Sequence, residues 1–354
     1  MNLRTARTIL LGLMLLFLCG RLTAATPNGS MESDTAHSPI VAISVSHIDT
    51  VVSGTSLGYD LLSEPASGTT VEQPSRLSAA PLPRHDNTLW IFNRKTLALG
   101  GTLGFSIPIV VLEYQWWWRE DYQYKPHKFR FENDGWFENG NRGVDKTGHF
   151  FTSYLYFHTF YDLMKWADYS ESASLWTALA VPAAHAISVE LCDGFSKYSF
   201  SAYDLIANFL GMGYAYAQIK HPYLNNFNIK WSYYPTSGGN APSSTHGFAE
   251  DYSGHTYWVS VNMQGVLPEA VAQYWPKYLN LAVGYGASNV SHNENNTLAK
   301  NKFAFALDYN LSAIDIANDT WSMLLRFADK FHYPAPGIKV YTGGETKAKP
   351  LLLY

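Results

Sequence analysis

Two cysteines, Cys19 and Cys192, are all that this chain of 354 residues contains. Cys19 falls inside a segment that reads as a removable export signal. Cys192 is therefore left alone, and no internal disulfide can staple the mature fold. Charge is scarce as well: Asp, Glu, Lys and Arg make up 15% of the sequence, against about 25% in an ordinary soluble domain. A net charge of -4 and a pI near 6.3 leave no basic footprint, which excludes nucleic acid as a partner. Ready-made catalytic signatures are missing too. The sequence has no nucleophile elbow, phosphate loop, zincin helix or paired-cysteine metal site. Cys192 follows Glu190 and precedes Asp193, acids that raise a thiol pKa and make it a poor nucleophile. Aromatic residues are what the chain has in excess: Phe, Trp and Tyr reach 15%, and such rings favour interfaces.

The amino terminus carries an export signal. Arg4 and Arg7 form a positive region, Ile9 to Leu18 an apolar core, and Thr23-Ala24-Ala25 a small-residue cleavage site, so the mature chain is expected to begin near Thr26. An uncleaved anchor is the alternative, but the apolar core is about half the length of a spanning helix. Leu16-Phe17-Leu18 ahead of Cys19 are bulky where a lipid-attachment motif has small residues. Residues 26–86 are rich in Ser, Thr, Ala, Pro and Gly and read as a flexible leader, with one short alternating strand at Val41 to Val45.

Residues 87–220 read as an apolar helical module of about four helices. Thr96 to Leu112 is uncharged, follows Arg94-Lys95 and runs into Trp116-Trp117-Trp118. A segment meeting two membrane interfaces and a buried core helix both fit it, and Gly100, Gly101, Gly104 and Pro108 weaken it as an isolated helix. Trp118 to Arg142 is a polar and aromatic connection. Asp145 to Trp166, Ser170 to Cys192 and Ser201 to Ile219 follow as helices, with Asp145, Ser170 and Ser201 as expected caps and Gly194 as a stop.

After Pro222 the apolar period falls from near 3.6 to 2. Residues 221–342 read as a mainly antiparallel sheet module with one helix, and 343–354 as a tail. Strands are expected at Asn228 to Tyr234, Tyr257 to Met263, Tyr278 to Ser288, Lys302 to Ile314 and Ile338 to Tyr341, with a helix at Asn318 to Phe331. The fold class is therefore α+β. The apolar strand faces fit a sheet packed on the helices, or a lipid-facing wall as in an outer-membrane barrel.

Against this background the polar residues inside the helices stand out. Asp145 and His149 lie one turn apart, as do Glu190 and Asp193, and Asp204 and Asn208. Three pairs on consecutive helices can converge in a bundle. Ordinary roles exist for each: Asp145 and Asp204 as caps, His149, His158 and His185 as core histidines, and Asn208 as a hydrogen-bonding bridge. Glu190 and Asp193 differ, because they occupy a last helical turn where acids are unfavourable. A positive partner is expected for them: Lys146, Arg142, Lys197, a protonated His149, or a divalent metal held by His149, Glu190, Asp193 and Asp204.

These motifs, Asp145-Lys146-Thr147-Gly148-His149, Glu190-Leu191-Cys192-Asp193-Gly194 and Ser201-Ala202-Tyr203-Asp204 with Asn208 and Gly211, resemble those of the bacterial domain of unknown function 2279, the YfiM-like predicted periplasmic proteins. Tyr252 to Trp258, Leu279 to Gly286 and Tyr333-Pro334-Ala335-Pro336 resemble the carboxy-terminal extension of its longer members, so the likeness runs from about Lys95 to Tyr341. The helical skeleton is similar, more distantly, to VanZ-like membrane proteins, which carry Gln where this chain has Asp193. The resemblance implies an envelope protein with a shared polar site at Asp145, Lys146, His149, Glu190, Asp193, Ser201, Asp204 and Asn208, and implies no reaction.

Together these readings give an exported protein on the periplasmic side of a Gram-negative envelope, membrane-associated, with the outer membrane favoured over the inner. It is expected to be non-enzymatic and to bind or organise a lipid, glycan or partner protein. The alternatives are an enzyme using metal or acid/base chemistry on an amphiphilic substrate, and a component of an outer-membrane β-barrel.

Overall fold

Local capping chemistry decides where each helix begins. A computed structural model describes residues 88–89, 92–124, 127–138, 140–236, 248–290 and 298–352. The export signal, the leader and the Val41–Val45 strand lie outside them. Helix α1 (Arg94–Glu113) opens at Asn93, whose side chain accepts from Lys95 N. It continues through a π-helical turn, Tyr114–Trp118, into a short helix, Arg119–Tyr124. Helix α2 (Val144–Trp166) starts after Gly143, α3 (Glu171–Gly194) after Ser170, and α4 (Ala202–Lys220) after Ser201. Ser170 Oγ accepts from Ala173 N and Ser201 Oγ from Asp204 N, each satisfying an otherwise orphan donor. The expected cap at Asp145 is corrected. Gly143 is the N-cap, and the Asp145 carboxylate turns to tertiary partners instead.

Helix α2 is the axis of the bundle, with Tyr154 and Phe157 fully buried against α3 and α4. Crossing of α2 and α4 depends on Gly211, where a Cβ would come within 2.1 Å of Phe150 O. No side chain fits there. By contrast, α1 exposes Leu99, Leu103, Ile107 and Val111, a stripe at four-residue spacing, and α4 exposes Ile206, Phe209 and Leu210.

The sheet follows. Strands β1 (Phe227–Tyr233), β2 (His255–Val261), β3 (Leu279–Ser288), β4 (Lys300–Tyr309), β5 (Ala335–Tyr341) and β6 (Thr346–Leu352) form an antiparallel meander in spatial order β6-β5-β4-β3-β2-β1. Helix α5 (Asp319–Ala328) lies between β4 and β5, capped by Asn318. Two details differ from the sequence reading. The strand from Lys302 ends at Tyr309, because Leu311–Ala313 turns as a 3-10 helix, and the expected tail carries β6. Lys and Pro in β6 suit an edge strand, and so much charge conceals its alternation.

The sheet is curled, and its inside is the polar side. Lys230 on β1 meets Asp308 on β4 at 2.7 Å. Those strands are three places apart, which in a flat sheet is about 14 Å. Closure is completed at the β1 edge: Trp231 N donates to Lys330 O at 3.1 Å and His332 N to Trp231 O at 2.9 Å, just ahead of β5. The enclosed face carries Lys230, Trp258, Ser260, Asn280, Lys302, Asp308 and His332, all buried. Small residues make the room for them. A Cβ at Gly284 would lie 2.7 Å from the Trp258 ring, so only glycine lets that indole fill the interior. The outer face is apolar: the cross-strand row Val259, Val283, Phe305, Ile338 is exposed along its whole length. This face meets α2 at Ile229, Trp231, Tyr257 and Tyr285, against Val144, Phe151 and the aromatic core of the helix.

Candidate functional site

Three helix ends converge at one end of the bundle: the starts of α2 and α4 and the finish of α3. Helix starts favour acids, and Asp145 and Asp204 each sit in a first turn. Between them lies Lys146, only 3% exposed at its side chain, with Nζ 2.6 Å from Asp204 Oδ1 and 3.1 Å from Asp145 Oδ2. Lys146 also pairs with Asp134, which in turn accepts from Ser201 Oγ at 2.9 Å. Tyr252 donates its hydroxyl to Asp145 Oδ1 at 2.8 Å.

His149 lies beside the two carboxylates. Its Nε2 is 3.7 Å from Asp145 Oδ1 and 3.7 Å from Asp204 Oδ1, too far for a hydrogen bond to either. Its Nδ1 lies 3.0 Å from Asn208 Nδ2. Asn208 is oriented by two further bonds, Nδ2 to the Asp204 carbonyl at 2.9 Å and Ser153 Oγ to Oδ1 at 2.6 Å. A carbonyl only accepts, so the amide nitrogen faces His149 and Nδ1 receives the bond.

The two acids of the last α3 turn do not gain the cation that the sequence demanded. Glu190 Oε2 accepts from the backbone N–H of Ser201 at 3.0 Å, and Asp193 Oδ1 from Trp118 Nε1 at 2.6 Å. Both partners are neutral. The first replaces the usual reciprocal half of a capping box: Ser201 Oγ serves Asp204 N, but Glu190 from another helix, not Asp204, serves Ser201 N. The second uses the π-helical turn, which carries Trp118 to the end of α3. Arg142 and Lys197 turn elsewhere, to Ala299 O and over the Tyr198 ring.

These surroundings spread the acidities apart. For Asp145, burial opposes the charge, but His149, Lys146 and the Tyr252 hydroxyl outweigh it and hold the carboxyl down at about 2. Burial pushes Glu190 up to about 8 and Asp193 up to about 7, the neighbouring acids adding to it. Burial and the Asp145 charge raise Asp204 to about 6. Burial would lower His149, yet Asp204 and Asp145 overcome it and raise the ring to about 9. That rise conflicts with the hydrogen bond from Asn208, because a protonated ring carries a hydrogen on Nδ1. The bond geometry describes the neutral ring with its proton on Nε2, and protonation requires the Asn208 amide to turn over.

Of the expected residues, Asp145, Lys146, His149, Ser201, Asp204 and Asn208 are joined by direct contacts, and Glu190 joins them through Ser201. Asp193 is held by Trp118 instead. His158 and His185 are elsewhere, bonded to Gln218 and Glu113. Asp134, Tyr252 and Trp118 were missed as site residues. Tyr252 and Trp118 lay in noticed motifs, whereas Asp134 sits in an aperiodic connection with no signal of its own.

Residues 133–220 match the model of a family described as a predicted periplasmic lipoprotein family, DUF2279. This segment is similar to DUF2279 domains. It holds Asp134 and all eight expected site residues, while Trp118 and Tyr252 come from outside it. The match covers the helical motifs and stops before the carboxy-terminal segments. By this family description the protein belongs to the periplasmic side of a cell envelope. Neither a curated protein nor a solved structure matches the chain.

Proposed function

We propose that this protein is a membrane-seated, non-catalytic component of a Gram-negative envelope, on the outer membrane. Its apolar faces rest in lipid, and the polar end of its bundle binds the polar part of an amphiphile or of a partner protein. The observation that carries this reading is the inversion of the sheet: lysines, aspartates and a histidine inside, and Val259, Val283, Phe303, Phe305 and Ile338 outside. A water-soluble sheet has the opposite arrangement, and a contiguous exposed apolar face marks a protein or membrane contact. The exposed stripes of α1 and α4 extend the same surface, and the helices 94–118 and 171–194 are long and apolar enough to cross a membrane. Strands β3 and β4 have ten residues each, which is the length used in outer-membrane walls.

The test is vesicle co-flotation of the full chain, with brominated acyl chains as quenchers of the exposed Trp176 and Trp321. Co-flotation with quenching of tryptophan emission is expected. Monodisperse protein in detergent-free buffer that ignores vesicles would sink the reading.

One observation favours an acid/base enzyme as the second reading: Asp145 near 2 and Glu190 near 8 in one site are the split that such chemistry uses. Folded Asp145→Asn and Glu190→Gln variants that retain the phenotype in cells would remove it.

A further inference from the structure

We infer that Asp145, His149 and Asp204 form a divalent transition-metal site, backed by Glu190. One atom from each of the three, His149 Nε2 and a carboxylate oxygen from either aspartate, lies within 4.8 Å of the other two. The two histidine-to-carboxylate separations of 3.7 Å match no hydrogen bond. They are close to the roughly 3.3–3.6 Å between neighbouring ligands around an ion with bonds of 2.0–2.2 Å. The ligand set, one imidazole and two carboxylates, suits zinc or manganese and leaves positions for water or a ligand.

A separate observation points to the same place. Glu190 is 1% exposed, and its Oε1 has no hydrogen-bond partner. A buried carboxylate oxygen without a donor is unfavourable, and the charged groups acting on this acid are His149, Asp204 and Asp193. Counting charges gives the same demand. Asp134, Asp145, Glu190 and Asp204 share the site with Lys146 and His149, so carboxyl groups outnumber basic groups two to one. Lys146 orders Asp145 and Asp204 from one side, and the side chain of His149 is 22% exposed.

Asn208 is the moving part. Metal on Nε2 puts the ring proton on Nδ1, so the amide turns over, Oδ1 accepting from His149 and Nδ2 donating to Ser153 Oγ. The Asp204 carbonyl then keeps only its helical bond.

The experiment titrates the full chain in detergent, stripped by chelator, with Zn²⁺ and Mn²⁺ by calorimetry, and with Co²⁺ by visible absorption. One equivalent is expected to bind, with a Co²⁺ band that saturates at one equivalent. His149→Ala and Asp204→Asn are expected to weaken binding by about 100-fold, and Asn208→Asp, which accepts from Nδ1 in either orientation, to tighten it by about tenfold. Asp193→Asn, at a residue held by Trp118, is expected to stay within about twofold of wild type. Lack of a saturable Co²⁺ band in the wild-type chain overturns the site even if the variants misfold. Unchanged affinity in His149→Ala, or weaker binding in Asn208→Asp, overturns the assigned ligands.

Discussion

The molecule holds two buried polar clusters, and they are finished to different degrees. Inside the curled sheet, Asp308 accepts from Lys230, His332 and Ser260, and Asp329 accepts from Lys230, Leu311 N and Ser312. Lys230 and Asp308 are fully buried, and Lys230 pairs there with both Asp308 and Asp329. At the bundle end the acids are in excess, one Glu190 oxygen is unpartnered, and His149 is accessible. A cluster whose acids and bases match in number consumes its own charges and has little to offer a charged ligand. An incomplete one keeps a demand for protons or cations, which is why the bundle end, and not the sheet interior, is the functional candidate.

The largest effect that would break this comparison lies in the sheet. Asp308→Asn is expected to lose about 3–5 kcal/mol of stability, because it removes from an enclosed interior the charge that both Lys230 and His332 face and leaves Lys230 with Asp329 alone. Chemical denaturation in detergent measures it. A loss below about 1 kcal/mol would mean that the sheet cluster is no more complete than the other.

At the bundle end the sign reverses. Glu190→Gln removes an acid whose folded pKa lies near 8, above its unfolded value. The folded chain binds that proton more tightly, so wild-type stability falls as pH rises from about 4.5 to about 8. In metal-free buffer at pH 8 the variant is expected to gain about 1–3 kcal/mol. A loss there would show that Glu190 is a satisfied structural acid.

Gly284→Ala drives a methyl group into the Trp258 ring and is expected to cost about 1–3 kcal/mol. Smaller still is the pH response of Lys302, which burial lowers to about 7. The native chain prefers the neutral amine, so stability is expected to rise as pH increases from about 7 to about 10.5, and to lose part of that slope in Lys302→Met. Thermal scans at several pH values distinguish the two proteins. An unchanged slope would mean that polar contacts stabilise the ammonium inside the sheet.

Periodicity made the helices and most strands legible, since capping serines and alternating apolar residues act over a few neighbours. Asp145, His149, Glu190, Asp204 and Asn208 were visible for a similar reason: polar residues one turn apart in apolar helices have few hiding places. Strand β6 was not legible, because its lysines and proline conceal the alternation. Asp134 was not, because contact with Lys146 is a property of the connection's path and not of its composition.

The sequence by itself determined the scarcity of charge, the apolar helices, the change of period after Pro222 and the acids stranded at the end of α3. Tertiary structure alone decided that those acids take neutral donors from Ser201 and Trp118, that Lys146 serves Asp134, Asp145 and Asp204, and that the sheet curls with its polar side inward. The physical reason is range. Helix propensity and alternation are set by residues a few positions apart, whereas the partner of a buried charge is whatever group the chain brings within about 4 Å of it.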